Sequence, residues 1–163
     1  MDTERETKSR KRTRKPDQWQ RNIRKRKRQA GEEYVSSKGK IKPAKTIKNT
    51  CETSCPYKCS TNFTSSQREE IKQNFYRLSN DQKLKYFDEY TLRINKHRTR
   101  TKKKEESRRM FTFQYFFQKD KQKQRVCKTF FCNTLDISAR RVHYFHMKKK
   151  EQSYKPIKIY LAE

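Results

Sequence analysis

Five cysteines and three histidines are the residues of this chain with the thiolate and imidazole donors of structural zinc sites. Cys51, Cys55 and Cys59 follow one another with three residues between neighbours, in a polar stretch that contains Pro56. Cys127 and Cys132 come much later. Zinc in a structural site takes four thiolate or imidazole ligands. The set available is Cys51, Cys55, Cys59 and Cys127, or three of these with a histidine. A C-x3-C spacing is not the C-x2-C knuckle of strong zinc signatures, and Cys127 is remote in sequence. The spacing therefore predicts no bound cofactor, with zinc on those four cysteines as the alternative. Such an ion would offset the entropy of ordering a polar segment with little core. Cys132 is expected in the core. His143 and His146, three apart on a predicted helix, suit a surface beside phosphate better than a metal.

Catalysis finds no foothold. The sequence has no phosphate-binding P-loop, no nucleophile elbow and no carboxylate cluster suited to two metal ions. Its acidic residues sit mostly beside Lys or Arg, as in "REE" and "DEY". The reading is a protein that is not an enzyme, with no small-molecule substrate.

The charge points to a partner. Forty-five Lys and Arg against 18 Asp and Glu give a formal net charge of +27, with only 29% apolar residues. Such a chain repels itself and calls for a polyanion, so nucleic acid is the expected partner. No apolar stretch approaches the roughly 20 residues of a transmembrane helix, and no membrane partner is expected. The N-terminus lacks the hydrophobic run of a signal peptide, and the odd cysteine count fits reduced thiols. The blocks "KSRKRTRK" (8–15) and "RKRKR" (24–28) have the spacing of a bipartite nuclear-import signal, so the nucleus is the expected location.

These groups must be held by few elements. Residues 1–48 read as a basic arm, largely disordered, with a short helix over 16–30 stopped by Gly31 and a turn at Lys38-Gly39. Residues 49–95 read as the cysteine segment and a helical pair. The first helix starts with Ser66 and Glu69 at capping-box spacing and carries an Ile71, Phe75 and Leu78 stripe. The second, after a break at 79–81, has Leu84, Phe87, Thr91 and Ile94 on one face. Residues 96–109 read as a charged linker. Residues 110–149 hold an aromatic strand, "MFTFQYFFQ", turned back by "KDKQK", and then two helices; 150–163 is a tail. Phe111, Phe113, Tyr115 and Phe117 alternate onto one strand face. The fold class is mainly α with a minor β part: a small helical domain, a short hairpin and a C-terminal helix-turn-helix.

The helix-turn-helix rests on "VCKTFFCNTLDISARRV". Cys132 is the small residue of the first helix and Leu135 precedes the turn. Asp136 tolerates left-handed backbone angles within it. Ile137 is buried, Ser138 caps the second helix, and Val142 and Phe145 face inward. That leaves Arg140, Arg141, His143 and Tyr144 outward, with Lys148 and Lys149 at the helix end for phosphate. Arginine can grip guanine O6 and N7 with two hydrogen bonds. In the arm, Arg10, Lys11, Arg12, Arg14, Lys15, Arg24, Lys25, Arg26, Lys27 and Arg28 are the phosphate-binding candidates.

Residues 10–40, the cysteine segment leading into "SSQREEIKQNFYRL", and "RVCKTFFCNTLDISARRV" (125–142) together show a resemblance. In that order they resemble the N-terminal region of a set of arthropod proteins that look related to, or domesticated from, cut-and-paste DNA transposons. The resemblance covers about four fifths of the chain. It implies a nuclear, DNA-binding N-terminal module of a longer protein, without transposase activity in this segment. The chain departs from the set in placing Cys51 and Cys55 four positions apart rather than two.

The expected function is thus duplex DNA binding through a basic arm and a helix-turn-helix. One alternative is a basic protein that binds RNA or single strands, stacking bases on Trp19, Tyr34 and the aromatic strand. The other is an interaction remnant that binds no nucleic acid.

Overall fold

The computed structural model describes residues 14–95 and 111–153, with side chains as far as Lys149. Arg10, Lys11 and Arg12, the charged linker and the last ten residues of the tail lie outside the described residues. The chain divides into two compact units, Met1–Ala44 and Lys45–Glu163.

In the first unit, where composition predicted a mostly disordered arm, structure begins within three residues of Arg14. A 3-10 turn over Pro16–Gln18 leads into α1, Gln20–Ala30. Pro16 lacks an N–H that the first turn would leave unsatisfied, and Asn22 Nδ2 donates to the Pro16 carbonyl at 2.8 Å. Gly31 at φ 74° ends the helix, its N–H donating to the Lys27 carbonyl, a left-handed stop that glycine adopts without strain. Strand β1 (Tyr34–Val35) then pairs antiparallel with β2 (Ile41–Lys42), Tyr34 opposite Lys42. Gly39, also at φ 74°, makes the expected turn. The Lys40 N–H closes it on the Ser36 hydroxyl at 3.1 Å.

The second unit combines helices with a three-stranded antiparallel sheet. A short α2 (Cys59–Asn62) is followed by α3 (Ser65–Arg77) and α4 (Asn80–Tyr90). Strand β3 (Thr91–Asn95) comes directly off α4. Strands β4 (Phe111–Lys119) and β5 (Gln122–Val126) form the expected hairpin, and the sheet order is β3-β4-β5. Asp120 and Lys121 both have positive φ, 48° and 64°, as a tight two-residue hairpin turn requires. Helices α5 (Lys128–Leu135) and α6 (Ala139–Ser153) complete the unit.

Three details differ from the sequence reading. The α3 capping box is Thr64 with Gln67, not Ser66 with Glu69. Both pairs have the spacing, but the chain is extended at Thr64 (ψ 163°), which presents its hydroxyl to the Gln67 N–H. On α4 the buried positions are Lys83, Phe87 and Tyr90, while Leu84 is 49% exposed. The lysine is inside because its ammonium lies over the Phe75 and Tyr76 rings, 5.3 and 5.0 Å from their centroids. Thr91 and Ile94 leave the helix altogether. A β-branched Thr-Leu-Arg-Ile run finds the edge of β4, with Thr91 opposite Tyr115 and Ile94 opposite Thr112.

Aromatic rings fill the core. Phe63, Phe75, Phe87, Phe117, Phe130 and Phe131 are each at most 3% exposed. Phe117 stacks on Phe131 at 4.9 Å, and Phe75 meets Phe87 at 5.7 Å. Each ring buries a large area, so an apolar-poor chain still closes a core with few residues. Among the described residues no helix is long and apolar enough to cross a membrane.

Candidate metal centre and nucleic-acid interface

The three-residue spacers between the first cysteines fold into turns that bring the sulfurs together. The Cys55 N–H donates to the Glu52 carbonyl at 3.1 Å, and the Lys58 N–H to the Cys55 carbonyl at 2.9 Å. Lys58 takes a left-handed conformation, φ 45°, which starts α2 with Cys59 as its first residue. The β4–β5 hairpin supplies the fourth thiol by delivering Cys127 to the junction of β5 and α5. The Sγ atoms of Cys51, Cys55, Cys59 and Cys127 all lie within 4.8 Å of one another. Cys55 and Cys59 sulfurs are 3.8 Å apart. Four sulfurs around zinc at about 2.3 Å stand roughly 3.8 Å apart, so the donor set and its spacing fit this ion. The looseness of the sequence spacing is thus overcome by two turns and one hairpin. Cys132 stays apart from this cluster, buried in α5 as expected.

The surroundings act on the thiols in opposite directions. The Cys127 N–H donates to Cys59 Sγ and the Phe130 N–H to Cys127 Sγ, both at 3.3 Å. Cys127 is the N-cap of α5, where the helix dipole stabilises negative charge. Burial raises the Cys59 and Cys51 thiols. At Cys55 burial acts the same way but is outweighed by the Tyr57 and Cys59 N–H groups and the adjacent thiols, bringing it down to about 7. A counter-charge lies close by. Arg68, 5% exposed, donates to Thr134 Oγ1 at 3.0 Å and the Lys48 carbonyl at 2.8 Å, and its guanidinium lies over Phe130. Burial lowers its pKa, and negative charge at Cys51 raises it. Among the described residues no salt bridge joins Arg68 to a carboxylate, and the charge that acts on it is that of Cys51.

The turn between α5 and α6 is fixed from several sides. Asp136 sits in the left-handed region, φ 44° and ψ 51°, and its N–H donates to the Cys132 carbonyl. Lys48 pairs with its carboxylate at 2.6 Å and Lys45 at 3.5 Å. Burial works against the Asp136 charge, but the two lysines dominate and hold its pKa below the usual carboxylate range. Tyr76 donates to the Leu135 carbonyl at 2.8 Å, and Asn133 Nδ2 to the Asn49 carbonyl at 2.8 Å. The segment before the cysteines therefore straps the turn to the same body as the thiol cluster.

On α6, Val142 is fully buried, Phe145 meets Phe87 at 5.9 Å, and Ile137 packs against the core just before the helix. Arg140, His143, Tyr144, Met147 and Lys148 are exposed, with Lys148 over the Tyr144 ring. Arg141 is exposed as a residue, yet its guanidinium lies 5.5 Å from the Phe87 ring centroid. Lys149 is paired with Asp88 on α4. His146 is no surface histidine. It is 8% exposed, shares a hydrogen bond with Thr91 Oγ1 at 2.7 Å, and its ring lies 5.3 Å from that of Phe113. The helical period accounts for this, since 142, 145 and 146 share one face.

In the first unit, Arg14, Lys15, Lys25, Arg26, Lys27 and Arg28 are exposed and Arg24 is half-buried. The sequence reading left out Arg21, which joins Arg24, Lys25 and Arg28 at helical spacing. It also passed over Arg68 as a buried cation, because nothing in "SSQREEIKQ" distinguishes an inward arginine from a solvated one. No family model matches the chain, and neither does any curated protein or solved structure.

Proposed function

We propose that this chain is a zinc-stapled nuclear module that binds duplex DNA and carries out no catalysis, with α5 and α6 as its helix-turn-helix. The observation that carries the reading is α6. One side is locked by Val142, Phe145 and His146, so the other presents Arg140, His143, Tyr144 and Lys148 in a fixed register. A helix held this way can enter a major groove with its N-terminal residues at base edges. Arg140 is the best placed to read a guanine, while Arg141 and Lys149 are partly engaged with α4. Zinc on Cys51, Cys55, Cys59 and Cys127 would tie the start of α5 to the strap that holds Asp136, setting the angle at which α6 is offered. The transposon-related origin rests on the sequence resemblance.

Single-strand or RNA binding has less support: of its stacking candidates Trp19 is 53% exposed and Tyr34 half-buried, but Tyr115 and Phe117 on the aromatic strand are 4% and 0% exposed and offer no ring to a base. Competition among duplex DNA, single-stranded DNA and structured RNA tests the choice, run with a duplex selected from a random pool. Duplex is expected to compete best. Arg140→Ala should cost about 1–3 kcal/mol on the selected duplex and much less on random duplex. Equal loss on every sequence would reduce α6 to a phosphate clamp.

A further inference from the structure

We propose that the cleft between α1 and the β1–β2 hairpin is a second nucleic-acid site, which grips the phosphates of one DNA strand without reading bases. Four cations line it, Arg21, Arg24, Lys25 and Arg28, in a cavity of about 490 Å³. Its remaining lining is Tyr34, Ser36 and Ser37, all hydroxyl-bearing, and hydroxyls with Arg and Lys are the usual partners of phosphate oxygens. Among the described residues no carboxylate and no aliphatic side chain lines the cleft, which argues against a cationic ligand.

The spacing argues for a repeated anion rather than a single one. Positions 21, 24, 25 and 28 follow the i, i+3, i+4, i+7 pattern, so they form one stripe along α1. At about 1.5 Å rise per residue the stripe runs roughly 10 Å. Successive phosphates of one strand rise about 3.4 Å along the duplex axis but stand roughly twice as far apart along the strand itself, so the stripe spans about two phosphates. Like charges at i and i+4, such as Arg21 with Lys25 and Arg24 with Arg28, destabilise a free helix. A phosphate strand in the cleft removes that repulsion, and the hairpin turn closed by Ser36 holds the hydroxyls ready for it. Arg26 and Lys27 lie on the same helix but do not line the cleft.

That last fact supplies the test, which rests on the duplex-binding reading yet fails separately from it. In the full chain, Arg24→Ala/Arg28→Ala and Arg26→Ala/Lys27→Ala each remove two charges, and alanine is the best helix former. The salt dependence of duplex binding is measured for both, on selected and on random DNA. The cleft pair should flatten the slope by about 1.8, near 0.9 per lost phosphate contact. The charge-matched pair should flatten it by less than half as much. Both should leave the ratio between selected and random duplex unchanged, whereas Arg140→Ala collapses that ratio. Equal flattening by the two pairs, or an effect confined to the selected duplex, overturns the cleft. Tighter binding of the wild-type chain to anionic phosphatidylserine vesicles than to duplex, at equal ionic strength, overturns it as well. A wild-type chain that binds no duplex overturns both the cleft and the α6 reading.

Discussion

Two residue sets decide what the second unit can be. The first is the thiol tetrad. Structural zinc contributes on the order of 10 kcal/mol in small modules, so losing one ligand should unfold the surrounding segment rather than loosen it. Elemental analysis is expected to find one zinc per chain in the wild type and none in Cys55→Ser or Cys127→Ser. Cys132→Ala should keep its zinc and lose only about 1 kcal/mol of stability, since it empties a small core position. Equal zinc content in Cys127→Ser and the wild type would remove the metal centre. The second residue is His146. Burial depresses its pKa, Lys149, Arg93 and His143 act in the same direction, and Asp88 opposes them. The unfolded chain therefore takes up this proton first. The stability contributed by neutral His146 is present above its ordinary value of 6.5 and is lost as pH falls from there to the folded value. Thermal melts between about pH 7.5 and 5.5 should show this fall in the wild type and a shallower one in His146→Gln. Parallel curves for the two proteins would show that His146 does not carry the acid sensitivity.

The elements show which sequence signals carry information. Asp136 was legible as a left-handed turn residue because its side chain tolerates that conformation, whereas its two lysine partners come from a segment with no periodicity. Asp136→Ala should cost about 1–2 kcal/mol, most of it backbone strain, because the paired lysines are 43% and 60% exposed and solvent screens them. Asp136→Asn should cost less, since asparagine also accepts positive φ, and urea unfolding of both variants separates the two contributions. The start of α3 is tested by its caps. Thr64→Ala should lose about 1 kcal/mol and Ser66→Ala close to nothing, and the reverse order would restore the other capping box. The hairpin was legible because alternation and "KDKQK" coincide. Strand β3 was not, because "DEYTLRI" continues a helical stripe until Thr91 finds a partner strand. Leu84 and Lys83 exchanged places for a similar reason: hydrophobicity favours the leucine, and two aromatic rings that only the tertiary fold assembles favour the lysine.

Across the whole molecule, the proposed function divides the work: charge would set affinity and a zinc staple would set geometry. A net charge of +27 suffices for salt-dependent binding to any nucleic acid, so attraction alone says little about recognition. The basic character was visible in composition and the inward Val142 and Phe145 of α6 in their spacing, whereas the buried His146 was not. The tetrad was visible only as a candidate list, because nothing in the sequence measures how a hairpin brings Cys127 to Cys59. If zinc fixes α5 and α6, selectivity should depend on the metal while bulk attraction should not. The most direct measurement is the ratio of affinities for a selected and a random duplex at fixed salt. It is taken on the zinc-loaded chain, after chelation, and after zinc is returned. The ratio is expected to be well above one with zinc, to fall to about one on chelation while weak salt-sensitive binding persists, and to recover when zinc is restored. A ratio that stays the same through chelation, or that equals one throughout, would contradict a zinc-stapled module that reads DNA.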